Sequence, residues 1–242
     1  MFSVLDLPQT HFFVLILHPK IINMQSNGTK KLTKKRGLYL LACLACIFAV
    51  ASAVALLSKT GTPSSPRHHY EEIEYPTQNY HRGLNNDVEG VILHHTALPT
   101  IERSLEMLTL PKNIVSTHCL IDTDGTRYIL AQPGIVTYHA GLSELNGREK
   151  CNEFCIGIEF QGNTVEQPLT DDQISSAIEY LLPVIEQYHI PLKNIVTHET
   201  VRANYMKLHP ENTRVKDKCD ITQPEYHRVM DALKAAMEER KG

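Results

Sequence analysis

Apolar residues gather in short runs along the second half of the chain, and the period of these runs predicts the secondary structure. Strand-length runs between polar or glycine-containing flanks are typical of buried strands. Such runs occupy residues 90–93, 118–122, 126–130, 155–160 and 195–198. Asp124 and Gly125 form a turn dipeptide between the second and third runs. This pair of runs therefore predicts a β-hairpin.

Two longer segments have helical spacing instead. Thr170 and Gln173 form a capping-box signature, and apolar residues follow at positions 174, 178, 181, 185 and 188. The sequence predicts a helix here that covers the sheet, with Pro183 as the position of a kink. Thr222 as N-cap and Pro224 in the first turn precede a second amphipathic segment that closes the chain.

Strands that alternate with helices predict one layered domain of the α/β (α+β) class, with a central mixed β-sheet flanked by helices. We expect this domain to span residues 88–242. Residues 58–87 are rich in Ser, Thr, Pro, Asn and charged residues, which predicts a flexible linker. Polar residues at the strand ends mark the edge where an open sheet places its site.

Residues 38–57 are almost wholly apolar, and their length matches the roughly 20 residues that cross a bilayer as a helix. Lysines and an arginine precede this segment, so the positive-inside rule places residues 1–37 in the cytoplasm. Met24 opens a conventional basic and apolar leader and is an alternative start. A signal peptide cleaved near Ala51 and Ala53 is the alternative to an anchor. Either way, the domain is expected outside the cytoplasm, in the periplasm.

Charge and cysteines refine this picture. Residues 61–242 hold 17 basic and 26 acidic residues, which argues against a nucleic-acid partner. Cys43 and Cys46 lie in the apolar segment, whereas Cys119, Cys151, Cys155 and Cys219 lie in the domain. An oxidising compartment permits disulfides, and a bond between Cys151 and Cys155 stays open.

Histidines and acids follow the predicted strands in a pattern that suits metal chemistry. His94 and His198 end two apolar runs, and Glu159 ends a third. Catalytic zinc takes three protein ligands and keeps one open position, and two imidazoles with one carboxylate meet this need. A further carboxylate is then free to move a proton. The pattern indicates metal-assisted hydrolysis.

Four blocks of the sequence resemble zinc-dependent N-acetylmuramoyl-L-alanine amidases. The similarity is strongest to the branch that recycles anhydro-muropeptides, with peptidoglycan recognition proteins and phage amidases as distant kin. The blocks are residues 90–97, 116–125, 138–141 and 147–159. The resemblance implies cleavage of the amide between the lactyl group of N-acetylmuramic acid and L-alanine of the peptide stem.

The resemblance also implies roles for individual residues. It places a zinc ion (Zn²⁺) on His94, His198 and Asp220, and it makes Glu159 the catalytic acid and Lys218 the residue that stabilises the oxyanion. The family usually has Asp-Pro-Gly at the third ligand, whereas Ile221 and Thr222 follow Asp220 here. The third ligand is therefore Asp220 or Cys219, with Asp217 and His209 as further alternatives. The spacing from Lys218 to Asp220 favours Asp220, because it places both side chains on one side of an extended segment.

Three more residues match positions beside the substrate groove in this family: His139, Arg148 and Asn152. A guanidinium at Arg148 can pair with a carboxylate of the peptide stem. The alternatives are a structural histidine, a solvated arginine and an asparagine that shapes a turn.

Two other functions compete with the amidase. Relatives that bind peptidoglycan without cleavage have generally lost a ligand, whereas all predicted ligands are present here. A zinc peptidase would carry His-Glu-x-x-His, and the pair His198 and Glu199 has no histidine four positions after His198. We therefore expect a monomeric amidase, with intact peptidoglycan or anhydro-muropeptide fragments as alternative substrates.

Overall fold

A computed structural model of the protein describes residues 69–212 and 220–241. Its strands are β1 (Glu72–Glu74), β2 (Tyr80–Asn85), β3 (Gly90–His95), β4 (Cys119–Ile121), β5 (Arg127–Ile129), β6 (Ile135–Thr137), β7 (Glu144–Leu145), β8 (Arg148–Glu149), β9 (Cys155–Phe160) and β10 (Ile195–Thr197). Its α-helices are α1 (Ile101–Thr109), α2 (Asp171–Tyr188), α3 (His198–Leu208) and α4 (Gln223–Glu239).

Six of the strands form the central sheet, in the order β1-β5-β4-β9-β3-β10. The pair β4 and β5 is antiparallel, and the other neighbours in this sheet are parallel. The predicted mixed sheet flanked by helices is therefore confirmed. The strands β2 with β6 and β7 with β8 form two small antiparallel pairs beside it.

Alternate residues of the central strands enter different hydrophobic clusters. Val91 and Leu93 pack in the larger cluster with the apolar faces of α2 and α4, whereas Ile92 packs in a second cluster with Val196 and Val201. This division follows from the period of two residues in a strand. The sheet therefore has one face covered by α2 and α4 and an opposite face that carries Ile92 and, two residues later, His94.

The predicted hairpin and both predicted helices are confirmed. Thr170 and Gln173 make the reciprocal capping box of α2, and Thr222 precedes α4. Two helices were not predicted. The helix α1 places Leu105 and Leu108 in the interior, and α3 begins at His198, which the sequence analysis had placed at the end of a strand.

The prediction of a flexible linker through residue 87 is wrong for residues 72–85, which contain β1 and β2. The strand β1 pairs in parallel with β5, and Glu72 forms an ion pair with Arg127 at 3.2 Å. Side chains of β2 are almost all exposed. Polar edge strands lack the apolar alternation that sequence analysis uses, because their pairing depends on backbone groups.

No helix within residues 69–212 and 220–241 combines the length and the apolar character that a bilayer crossing requires. The predicted cytoplasmic segment 1–37, the predicted membrane segment 38–57 and the first residues of the predicted linker lie outside the described residues.

Candidate metal centre and active site

The carboxyl ends of the parallel strands β3, β9 and β10 meet at one edge of the central sheet, and each carries a predicted site residue. His94 is the penultimate residue of β3 and is paired in register with Glu159 of β9. His198 follows Thr197, the last residue of β10, as the first residue of α3. Residues paired in register point to the same face of a sheet. The topology therefore gathers two imidazoles and one carboxylate.

Asp220, which precedes α4, completes a compact group with the two histidines. One ligand atom from each of His94, His198 and Asp220 lies within 4.8 Å of the others. Oδ2 of Asp220 lies 3.3 Å from Nδ1 of His198 and 3.6 Å from Nδ1 of His94. All three side chains are buried. Among residues 69–212 and 220–241, this is the group of His, Cys, Asp and Glu side chains that can hold a metal ion.

The carboxylate of Asp220 is fixed by backbone donors. Its Oδ1 accepts hydrogen bonds from the backbone N–H of Ile221 at 2.8 Å and of His95 at 3.3 Å. Oδ2 is thereby left to face the histidines. Burial opposes ionisation, but His94 and His198 hold the pKa of Asp220 well below its usual range. The site thus keeps an anionic carboxylate beside two imidazoles.

This donor set fits zinc. Two imidazole nitrogens and one carboxylate oxygen are the ligands of many catalytic zinc sites, and three ligands leave a fourth position open. A buried carboxylate that stays ionised supplies charge that a divalent cation neutralises. The residues present therefore match the metal that the sequence pattern predicts.

His139 lies directly behind His94. Its Nδ1 is 3.2 Å from Nε2 of His94, and its Nε2 is 3.2 Å from the carbonyl oxygen of Cys155. Burial, together with the nearby His94 and His118, lowers the pKa of His139 well below the ordinary value, so this imidazole is neutral at pH 7. The family resemblance implies that His139 lies beside the substrate groove, and the structure places it against His94 and in the wall of the adjoining cavity.

The two other residues of the predicted substrate groove have different surroundings. Oδ1 of Asn152 accepts hydrogen bonds from the backbone N–H of His139 at 3.0 Å and of Ala140 at 2.8 Å. Asn152 therefore shapes the segment that carries His139. Arg148 forms ion pairs with Glu89 at 2.6 Å and Asp87 at 3.4 Å. These acids precede β3, so the structure does not bring Arg148 to the metal group.

Of the candidates for the third ligand, the structure describes Asp220 and His209. Lys218, Cys219 and Asp217 lie outside the described residues. Nε2 of His209 is 2.7 Å from Oε1 of Glu149, and His209 does not belong to the group of His94, His198 and Asp220. Cys151 and Cys155 are free thiols in the structure, as is Cys119, so the disulfide left open by the sequence is not formed.

A cavity of about 470 Å³ adjoins Glu159. Part of its wall is apolar and comes from α1 and the loop after it, through Met107, Leu108 and Val115. Sequence analysis missed this wall because it did not predict α1. The spacing of Ile101, Leu105 and Leu108 is the signal that marks this helix. The cavity therefore reaches Glu159, the acid paired in register with His94.

Comparisons with known proteins agree with this geometry. The family model Amidase_2, described as N-acetylmuramoyl-L-alanine amidase, matches residues 84–213. The 1,6-anhydro-N-acetylmuramyl-L-alanine amidase AmpD of Haemophilus influenzae is 44% identical over 87 residues, which cover 35% of this chain and 46% of that protein. AmpD of Escherichia coli is 38% identical over 84 residues, covering 35% and 45% respectively. The chain thus matches about half the length of these curated relatives.

Among solved structures, a selenomethionine derivative of AmpD superimposes with a TM-score of 0.51 at 22% sequence identity. The superposition covers 69% of this chain and 97% of that one. At this level of identity the likeness establishes the fold.

Proposed function

Because this chain belongs to the N-acetylmuramoyl-L-alanine amidase family, we propose that it is a zinc-dependent hydrolase of the amide between N-acetylmuramic acid and L-alanine. The observation that carries the proposal is the buried group of His94, His198 and Asp220, whose ligand atoms lie within 4.8 Å of one another. Glu159, the penultimate residue of β9, is paired in register with His94 and lines the adjoining cavity. Peptidoglycan and its anhydro-muropeptide fragments both contain the scissile bond.

The proposed chemistry divides between the metal and the protein. Zinc, when bound, supplies a Lewis acid that polarises a carbonyl oxygen and acidifies water. The carboxylate of Glu159 takes the proton from the attacking water and then delivers it to the nitrogen of the leaving amine. We assign to Lys218 the stabilisation of the negative charge that develops on the carbonyl oxygen. His94, His198 and Asp220 would hold the metal beside Glu159.

Product analysis tests the bond specificity. Purified protein with zinc is incubated in ¹⁸O-labelled water with a soluble anhydro-muropeptide and, separately, with purified sacculi. We expect mass spectrometry to find a free peptide stem with an L-alanine amino terminus and one ¹⁸O atom in the lactyl carboxylate. Cleavage of another bond contradicts the proposal. Tight binding without cleavage instead supports the alternative of a peptidoglycan-binding module. The rates on the two substrates identify which is preferred.

The third ligand is tested by a pair of variants. Asp220→Ala removes a side chain that faces both histidines, so we expect loss of stoichiometric zinc in elemental analysis. Cys219→Ala is the matched control and should keep zinc and most of the activity. The reverse outcome transfers the ligand to Cys219 and removes the spacing argument for Lys218.

We also propose that residues 38–57 anchor the protein in a membrane, with residues 88–242 in the periplasm. The support is the uncharged apolar run after a basic segment. Reporter domains fused after residue 60 measure the topology. We expect alkaline phosphatase fused at this position to be active. A fluorescent protein that matures only in the cytoplasm should not fluoresce at the same position. The reverse pattern contradicts the periplasmic location, and recovery of a mature protein that begins just after Ala53 identifies a cleaved signal peptide.

A further inference from the structure

The two ring nitrogens of His94 have separate neighbours. Nδ1 faces Oδ2 of Asp220 at 3.6 Å, within the group that can hold a metal. Nε2 lies 3.2 Å from Nδ1 of His139, on the side away from Asp220. A neutral imidazole carries one N–H and one lone pair. Nδ1 of His94 can therefore offer its lone pair to a metal ion only while the proton is on Nε2.

His139 determines where that proton resides. Nε2 of His139 lies 3.2 Å from the carbonyl oxygen of Cys155, and a carbonyl oxygen only accepts hydrogen bonds. This contact places the N–H of His139 on its Nε2. Nδ1 of His139 is then an acceptor, and its partner is the Nε2–H of His94. The two contacts together allow one consistent arrangement of protons.

We infer that His139 is a positioning residue that holds His94 in the tautomer whose Nδ1 is open to a metal ion. The inference rests on the proposed zinc site and adds a residue that acts through a ligand. Histidine ligands of metals commonly donate their second N–H to an acceptor, which fixes the tautomer and the ring orientation. In this chain the acceptor is a second imidazole, which a backbone carbonyl orients in turn.

The strand β9 leaves space for the ring of His139 at Gly157. A Cβ atom at Gly157 would lie 2.6 Å from Cγ of His139, so any larger residue there would displace the imidazole. The backbone N–H of His139 donates to Oδ1 of Asn152 at 3.0 Å, which anchors the segment from the other side. The space at Gly157 and the backbone contact with Asn152 therefore define where the ring lies without its contact with His94.

His118 provides a matched control, because it is also a buried histidine beside His139. Its Nδ1 accepts a hydrogen bond from the backbone N–H of Gly157 at 3.0 Å. Its Nε2 donates to the carbonyl oxygen of Ile135 at 2.8 Å. Both nitrogens are engaged with the backbone, so His118 does not orient a ligand.

Zinc affinity, measured by competition with a chelator, tests the inference. His139→Leu removes the acceptor and should weaken zinc binding by roughly 10–100-fold, the usual cost of losing such a partner. In His139→Asn, Oδ1 can take the place of Nδ1, so most of the affinity should return. His118→Asn should bind zinc like the wild type. Equal affinity of His139→Leu and the wild type overturns the inference while the proposed function stands. A wild type that binds no zinc overturns both.

Nitrogen-15 NMR of zinc-loaded wild type gives a second readout, which needs no variant to fold. Long-range proton–nitrogen correlations distinguish the two tautomers of each histidine. We expect a proton on Nε2 and none on Nδ1 for both His94 and His139. A proton on Nδ1 of His139, or zinc on Nε2 of His94, contradicts the inference.

Discussion

The two faces of the central sheet use the same strands for different purposes. Leu93 packs with α2 and α4 in the larger cluster, whereas His94, its neighbour in β3, belongs to the group that can hold a metal. In β9, Ile158 belongs to the apolar cluster, and Glu159 lines a cavity. The face under α2 and α4 is apolar throughout, whereas the opposite face combines a smaller apolar cluster with polar groups at the carboxyl ends of its strands. We therefore expect variants of the apolar face to change stability, and variants of the polar groups at the strand ends to change metal binding and catalysis.

The sharpest test of this division is His94→Ala. It removes a ligand while leaving the apolar cluster intact, so zinc affinity should fall by more than about 100-fold, beyond the cost of losing a ligand's partner. Elemental analysis and activity on an anhydro-muropeptide measure the effect. His81→Ala removes an exposed histidine of β2 and should change neither quantity. Stoichiometric zinc retained in His94→Ala would show that the ligand is assigned wrongly.

Leu181→Ala tests the opposite face. Leu181 is fully buried in α2 against the sheet, so the truncation should lower the free energy of unfolding by about 2–5 kcal/mol. Urea denaturation measures this loss. Under native conditions, zinc affinity should stay at the wild-type value. Leu208→Ala, at an exposed leucine of α3, is the control. A large fall in zinc affinity in folded Leu181→Ala would show that the apolar face also determines metal binding.

Glu159→Gln separates catalysis from metal binding on the same face. The amide cannot take a proton from water, so activity should fall by on the order of 100-fold or more, as expected for a general base. Bound zinc should remain at one equivalent, because the three ligands are unchanged. Glu186→Gln changes an exposed acid of α2 and serves as the control. Nearly full activity in Glu159→Gln would give this acid a structural role.

The smallest expected effect concerns pH and His118. Burial lowers the pKa of His118 to about 4, so the native state resists a proton that the unfolded chain accepts near pH 6.5. The contribution of neutral His118 to the free energy of unfolding is fully present above pH 6.5. It is lost as the pH drops toward 4, by up to about 1.4 kcal/mol per pH unit. His118→Asn keeps an acceptor for the backbone of Gly157 and should show a shallower dependence in urea denaturation between pH 7 and 5. An unchanged slope would mean that His118 is accessible to protons.

Sequence analysis succeeded where burial imposes a period or where topology fixes a strand end. The aliphatic runs of β3 and β9 and the capping box of α2 are of this kind. His94 and His198 were found because each adjoins a buried run. The polar strand β1 and the weakly amphipathic α3 give no such signal, since backbone pairing and tertiary contacts determine them.

The contact of His139 with His94 could not be predicted from the sequence. It depends on how an irregular segment lies over Gly157, and sequence spacing contains no information about that distance. The position of Asp220 is similar, because an interval of more than 20 residues separates it from His198. Its place beside the histidines is a property of the folded chain.

Removal and restoration of zinc tests the central claim most directly. Protein freed of metal by a chelator is titrated with zinc while the release of the peptide stem from an anhydro-muropeptide is followed. The account predicts no cleavage without metal, and activity that rises in proportion to bound zinc and saturates at one equivalent. Full turnover by metal-free protein, or zinc bound at one equivalent without any release of the peptide stem, would contradict it.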